Sequence, residues 1–427
     1  MSKPLYVISC PFDTYSGYGA RARDYVKAVI DTDKYEVKLM SQRWGETAWN
    51  FCEENKEWTF LNEYRLSDNK LTTKPDIWTQ ITIPNEFQAV GKYNIGVTAG
   101  IETTMCAADW IEGLNRMDLN LVSSQHSKTV FEQTAFEKKN KNTNQVESKI
   151  QLQKPVEVLF EGYNTDVYKR LDPKEVHLDL SDINESFCYL FVGHWMQGGF
   201  GHDRKNVAFM IKSFLETFKN KKQKPALILK TSVGTASYSS REEILKRINN
   251  IKKTVVGSNL PSVYLINGEM SDQEMNELYN HPKVKAMVSF TKGEGFGRPL
   301  LEFTATGKPI AASGWSGQVD FLSSQNSFLV GGTLENVDKS AANKWILTEG
   351  KWFKPDSAIV GSIYKEMYKN YKNFVVRGKK ERRRCIENFS YEEMVKLLDN
   401  YLQKYVPEFP KQVELKLPEL PKLEKIG

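Results

Sequence analysis

The amino-acid sequence predicts an α/β protein of two doubly wound domains, each a mostly parallel sheet wrapped by helices, facing each other across a cleft. Three observations predict it. Short apolar runs alternate with amphipathic stretches of helical period, the pattern of parallel strands joined by crossover helices. The alternation stops in a polar, acidic stretch at 172–185 and starts afresh at 187. The chain has 427 residues, too many for one ordinary core and enough for two or three domains.

The first series opens at 5–10, where Leu-Tyr-Val-Ile-Ser-Cys reads as a strand. A helix follows at 20–30 and a strand at 35–40. Further strands fit 76–81, 94–98, 120–123 and 156–160, with helices at 107–115 and 127–136. The second series has strands at 187–192, 226–230, 263–267, 286–290 and 309–312. Helices fit 206–218, 241–253, 272–279 and 299–306 between them. After residue 350 the chain turns mostly helical and ends with Pro407, Pro410, Pro418 and Pro421 among Lys, Glu and Leu. The expected domains are 1–175, 186–385, and a segment 386–427 of helix and Pro-rich tail that packs back toward the first domain. Ligands of such sheets sit beyond the carboxyl ends of the strands, at topological switch points, so the cleft is the expected site.

Composition excludes several classes. Apolar residues make up 40% and charged residues 26%, a globular balance. No run of about 18 apolar residues is present to span a membrane. The first ten residues carry too short an apolar stretch for a secretory signal. Cys10, Cys52, Cys106, Cys188 and Cys385 are scattered, which suits free thiols in a reducing cytoplasm. With His126, His177, His194, His202 and His281 they also lack zinc-ligand spacing.

Three strand-to-helix junctions carry the chemistry. In Thr14-Tyr-Ser-Gly-Tyr-Gly-Ala20, Gly17 and Gly19 let the backbone approach a ligand, and the helix behind them offers free N–H groups. A tight turn explains these glycines equally well. Gly198-Gly-Phe-Gly-His-Asp-Arg-Lys-Asn206 sets three glycines and two cations at one junction, a place for an anionic leaving group. There Arg204 can bind phosphate oxygens in a fork and Lys205 acts as a point charge, with Lys230 within reach at the end of the next strand. In Lys292-Gly-Glu-Gly-Phe-Gly-Arg-Pro-Leu-Leu-Glu302, Glu294 sits in a glycine turn and Glu302 one helical turn inside the helix that Pro299 begins. Carboxylates accept hydrogen bonds from sugar hydroxyls, and the amides of the turn take phosphate.

The last of these, with Ala305-Thr-Gly-Lys-Pro-Ile310, resembles the Glu-x7-Glu region of retaining GT-B glycosyltransferases of the family 4 type. Trp110–Asp118, Ser123–Phe131, Glu161–Tyr168, Phe191–Gly193 with Arg204–Asn206, Trp315–Leu322 and Asn388–Glu393 resemble further family segments, so the similarity spans roughly 90–400. The resemblance implies that the C-terminal domain binds a nucleotide sugar, such as a UDP- or GDP-sugar, and the N-terminal domain most of the acceptor. It implies that Glu294 holds sugar hydroxyls with the amides of Gly295, Phe296 and Gly297, that Glu302 binds the ribose, and that Lys205 and Arg204 stabilise the departing diphosphate. Gly17 and Gly19 would line the cleft opposite. No metal and no cofactor are implied. Where the family usually has Arg after the Phe-Val-Gly strand this chain has His194, so either Arg204 substitutes or His194 binds phosphate itself. Where many members carry His after the strand ending at Thr98, this chain reads Ala99-Gly-Ile-Glu-Thr-Thr104, and the resemblance then implies Glu102 and Thr103 near the reacting carbon. His126 reads as structural.

Asp31-Thr-Asp33 matches the metal motif of the GT-A fold, but it lies in a helix-to-strand turn, where Asp is favoured for backbone reasons. The acceptor stays open between a glycan and a hydroxylated DNA base. Trp44, Trp49 and Trp58 and the net charge of +6 motivate the second. The chain could also be a non-catalytic nucleotide-sugar binder, or an enzyme working at a membrane surface. Lys138, Lys139 and Lys141 lie in a polar loop without the apolar face that membrane binding would need. Nine basic residues against two acidic ones lie in 361–384, more than the whole net charge.

Overall fold

A computed structural model describes residues 3–140 and 143–409. Its first sheet is built from β1 (Leu5–Cys10), β2 (Glu36–Ser41), β3 (Ile77–Ile81), β4 (Tyr93–Thr98), β5 (Leu119–Val122) and β8 (Val156–Val158). The order is β2-β1-β3-β4-β5-β8, all parallel. Its helices are α1 (Gly17–Asp31), the short α2 (Phe51–Glu54), α3 (Ala108–Arg116) and α4 (Gln125–Gln133). Ser16 and Ser124 cap α1 and α4 by accepting the N–H groups of Gly19 and Ser127.

The second sheet has β9 (Cys188–Val192), β10 (Ala226–Lys230), β11 (Val263–Ile266), β12 (Val284–Ser289), β13 (Ile310–Ser313) and β14 (Phe328–Val330). It is also all parallel, in the order β11-β10-β9-β12-β13-β14. Around it lie α5 (Val207–Phe218), α6 (Tyr238–Lys253), α7 (Asp272–Asn280), α8 (Arg298–Thr304) and α9 (Ser357–Lys369). The chain closes with α10 (Tyr371–Phe389) and α11 (Tyr391–Tyr405). Strand order therefore reverses between β1 and β3 in one domain and between β9 and β12 in the other. These are the two places where crevices form beyond a sheet.

Two hairpins escape the sequence pattern. β6 (Ala135–Lys139) pairs antiparallel with β7 (Val146–Gln151), so the helix expected to reach 136 stops at Gln133. Lys138 and Lys139, expected in a loop, are strand residues; Lys141 lies outside the described residues. Both strands are rich in Lys and Glu and largely exposed, so no apolar alternation marks them. Likewise β15 (Gly332–Asn336) pairs with β16 (Lys351–Pro355) before the helical end begins. The loop between them crosses to the first domain. The Thr104 N–H donates to Lys351 O at 2.9 Å, and Trp345 packs 6.0 Å from Trp110 of α3.

The chain crosses back through α10 and α11. Tyr391 donates to Asp31 at the end of α1 (2.9 Å), and Tyr401 to Val158 O (3.1 Å). Pro410, Pro418 and Pro421 lie outside the described residues. Asp31 also pairs with Lys27, and Asp33 with Lys3, in the turn between α1 and β2. Two basic residues of α10 are anchored to neighbouring loops. Arg382 donates to Ala305 O at 2.8 Å, and Arg377 to Gln325 O at 2.8 Å. No helix among the described residues is long and apolar enough to cross a membrane.

Candidate functional site

β9 and β12 are neighbours at the switch point of the second sheet, and the loops leaving them are sewn together. The Lys292 N–H donates to Arg204 O at 2.8 Å, and the Thr291 hydroxyl reaches the same oxygen at 3.0 Å. This pairing fixes what the two loops present. Lys205 Nζ donates to both carboxylate oxygens of Glu294, at 2.6 and 2.7 Å. Arg204 donates to Glu294 at 3.3 Å and lies 3.2 Å from a carboxylate oxygen of Glu102, which comes from the loop after β4. Glu294, Lys205, Arg204 and Glu102 thus form one cluster of two cations and two carboxylates with contributions from both domains.

The turn that carries Glu294 is held on both sides. Its N–H donates to Ser316 Oγ at 2.9 Å, and its carbonyl accepts from Gly317 at 3.0 Å. Across the cleft the backbones touch. A Cβ on Gly293 would lie 2.0 Å from Glu102 O, and one on Gly295 would lie 2.2 Å from Ala99 O. These two glycines permit the close approach of the domains. Gly297 is in the left-handed region (φ 101°) and starts α8. Phe296 is buried against Phe321, ring centres 4.9 Å apart, so only its amide faces the turn. In the facing turn Gly19 is a packing requirement, since a Cβ there would meet Thr14 O at 2.3 Å, whereas Gly17 has open space.

Electrostatics follow from burial. Desolvation alone would raise the Glu294 carboxyl, but the Lys205 ammonium and Arg204 guanidinium outweigh it and hold it below the usual carboxylate range. Removing one partner of such a buried set leaves a charge uncompensated. His194 lies 2.9 Å from Ser232 Oγ; burial and the positive charges of Lys205, Lys230 and Arg204 push its pKa down, which favours neutral imidazole. Lys230 donates to Gly268 O at 2.7 Å, and burial lowers its ammonium. His126 lies edge-on to Trp315, ring centres 4.6 Å apart, and burial pushes it down to about 4.

Glu302 does not join the Glu294 cluster. It accepts from Arg298 Nε at 2.8 Å and from the Tyr279 hydroxyl at 3.1 Å, and Arg298 in turn pairs with Asp24 of α1. Sequence reasoning missed Asp24, Arg298 and Ser316. The available signal was Arg21-Ala-Arg-Asp24, three charges on a helix otherwise set into the core. Burial pushes Glu302 up to about 7 despite Arg298. Its ordinary value is 4.5, so between about pH 4.5 and 7 the folded protein holds a proton that the unfolded chain lacks. Stability from this group is then lost as pH rises through that window and is level above it. Glu302→Gln is expected to gain on the parent, by about 3 kcal/mol at most, between pH 4.5 and 7. Denaturant melts of both proteins across that range check this. A pH-independent difference would mean that Glu302 ionises normally.

A cavity of about 770 Å³ opens on the other side of the 193–206 loop, lined by Phe200, Phe209, Lys212 and Lys292 among others, but by none of Arg204, Lys205 or Glu294. It is distinct from the cluster.

No protein-family model matches the chain, and no curated protein matches it in sequence. Solved structures do. HepE of Anabaena, solved in complex with UDP and glucose, superposes with a TM-score of 0.58 at 13% identity, covering 94% of this chain and 100% of its own. A glycosyltransferase of Rickettsia africae gives 0.58 at 14% identity, covering 94% and 99%. Sucrose-phosphate synthase of Thermosynechococcus elongatus gives 0.59 at 13% identity, covering 94% and 98%. The likeness extends over nearly the whole of each chain and agrees with the strand orders above: this chain has the GT-B fold, two Rossmann-like domains facing across a cleft.

Proposed function

We propose that this chain is a retaining glycosyltransferase that moves a hexose or pentose from a nucleotide sugar to an acceptor hydroxyl, without a metal ion or cofactor, in the cytoplasm. The observation that carries the proposal is the cluster of Lys205 and Arg204 with Glu294 and Glu102 where the two domains meet. Residues 186–385 take the donor and residues 1–175 the acceptor, with α11 returning to the first domain. Lys205 and Arg204 bind the diphosphate, displacing Glu294, which turns to the sugar hydroxyls with the amides of Gly295–Gly297. Glu302 binds the ribose, while His194, Lys230 and Gly17 line the donor path. The UDP, glucose and UDP-glucose in the HepE structures support this donor class.

In the transfer the bond from the anomeric carbon to the phosphate oxygen breaks, its electrons leaving with the diphosphate. The acceptor oxygen forms the new bond on the same face and gives its proton to the departing phosphate. The protein supplies fixed charge and position, the two largest contributions open to it. Because two fixed cations meet the developing charge, no metal is required.

A glycan acceptor is the better supported one. Of the basic residues in 361–384, which a DNA acceptor would need at the cleft, Arg382 is engaged by Ala305 O just past α8 and Arg377 by Gln325 O. The test is a nucleotide-sugar panel read by nucleotide release, with glycans and hydroxymethylated DNA as acceptors and NMR of the product anomer. Turnover with a retained anomer is expected. Nucleotide-sugar binding without turnover under every acceptor overturns the catalytic reading in favour of a binding scaffold. Transfer to DNA, weakening steeply with salt, overturns the glycan assignment.

A further inference from the structure

Trp44 lies in the loop after β2 and stacks on Tyr18, ring centres 3.9 Å apart and planes 21° from parallel. Tyr18 is fixed in turn. Its hydroxyl bonds Thr98 Oγ1 at 2.9 Å and accepts the Ala99 N–H at 3.1 Å. Ala99 is the residue whose carbonyl presses on Gly295. Trp44 is therefore three contacts from the turn that carries Glu294, through Tyr18 and Ala99. On its other flank, Glu46 O accepts from Thr235 Oγ1 at 3.0 Å, which ties the same loop to the C-terminal domain. That partner loop also contains Ser232, which holds His194.

Trp44 is only half-buried and belongs to none of the four hydrophobic clusters. A tryptophan ordinarily earns its place by the apolar area it adds to a core. Here one face lies on Tyr18 and the ring stands at the junction of the domains, outside every core. The charges near Tyr18 are mixed: Glu102 is paired with Arg204 at 3.2 Å, and the Arg43 guanidinium turns back to Gly45 O at 3.2 Å.

We propose that Trp44, backed by Tyr18, is the platform of the acceptor subsite and takes the C–H face of a pyranose ring. The inference rests on the glycosyltransferase reading and deepens it by naming the ring on which an acceptor sugar stacks. The side chain works by stacking, so a smaller ring is expected to replace it in part and alanine is not.

The probes are methyl α-glucopyranoside, α-galactopyranoside and α-mannopyranoside, with parent, Trp44→Ala and Trp44→Phe. The parent is expected to transfer saturation to the ring C–H protons of at least one glycoside. Trp44→Ala is expected to lose that signal and to raise the acceptor KM about tenfold or more, the equivalent of one stacked contact. Trp44→Phe recovers most of both, which separates stacking from misfolding. The Kd for UDP, measured by calorimetry, stays within about twofold in all three. An unchanged acceptor KM in an active Trp44→Ala enzyme overturns the platform. So does a weakened UDP Kd with unchanged acceptor KM, since the ring would then serve the donor. A parent that releases nucleotide from no donor overturns the glycosyltransferase reading itself, and the platform falls with it.

Discussion

Lys205→Met is expected to lower kcat for sugar transfer by about 10²–10³-fold, the range typical of removing one preorganised group that meets charge developing in a transition state. The same change also destabilises the fold, because Glu294 is 7% exposed and keeps only the longer contact to Arg204 at 3.3 Å. Breaking one partner out of a buried ion pair costs about 3–5 kcal/mol, and the surviving arginine reduces that here. A loss of activity alone is therefore ambiguous between chemistry and folding. The double variant Lys205→Met/Glu294→Gln resolves it. Removing both charges relieves the unpaired carboxylate, so melting temperature recovers most of the way to the parent. Turnover does not recover, because neither the diphosphate charge nor the sugar hydroxyls have their partners. A double variant that regains both stability and turnover would reduce the cluster to a structural ion pair.

Much of the architecture was legible, and the reason is burial. β3 and β5 are buried at every position and β1 nearly so, so their apolar runs stand out. The two hairpins were illegible for the converse reason. β7 reads Val-Glu-Ser-Lys-Ile-Gln and is exposed along most of its length, which leaves no apolar face to detect. The site was legible to the extent that its residues are adjacent in sequence. Arg204 and Lys205, and Glu294 with its glycines, sit at two strand-to-helix junctions, and parallel topology brings such junctions to one edge. Pairings across the cleft were not legible. Nothing in the sequence joins Asp24 to Arg298, which are far apart in the chain and meet only because α1 and α8 face each other. The basic segment shows the same limit: its charge was plain, but its direction depends on how α10 rests on α8.

Gly295→Ala is expected to cost about 10²-fold in kcat while leaving each domain folded, the penalty typical of moving a reacting group by roughly 1 Å. The added Cβ would lie 2.2 Å from Ala99 O, a contact with backbone that no side-chain rotation relieves. The two domains must then part at the point where Glu102 reaches Arg204. Glu102 would lose the 3.2 Å contact while Lys205 and Glu294, which share one domain, keep theirs. Nucleotide binding is therefore expected to survive better than turnover. Small-angle scattering is expected to show a wider particle than the parent. Gly361→Ala is the control, since it sits inside α9 where a Cβ meets only Thr217 Oγ1 at 3.4 Å. Alanine there favours the helix by up to about 1 kcal/mol and leaves turnover and scattering as in the parent. If Gly295→Ala matched that control in both, the close approach of Gly295 to Ala99 would not be what holds the catalytic cluster together. The loop from β15 to β16, with Trp345 against Trp110, would then be the contact that sets the distance between the domains.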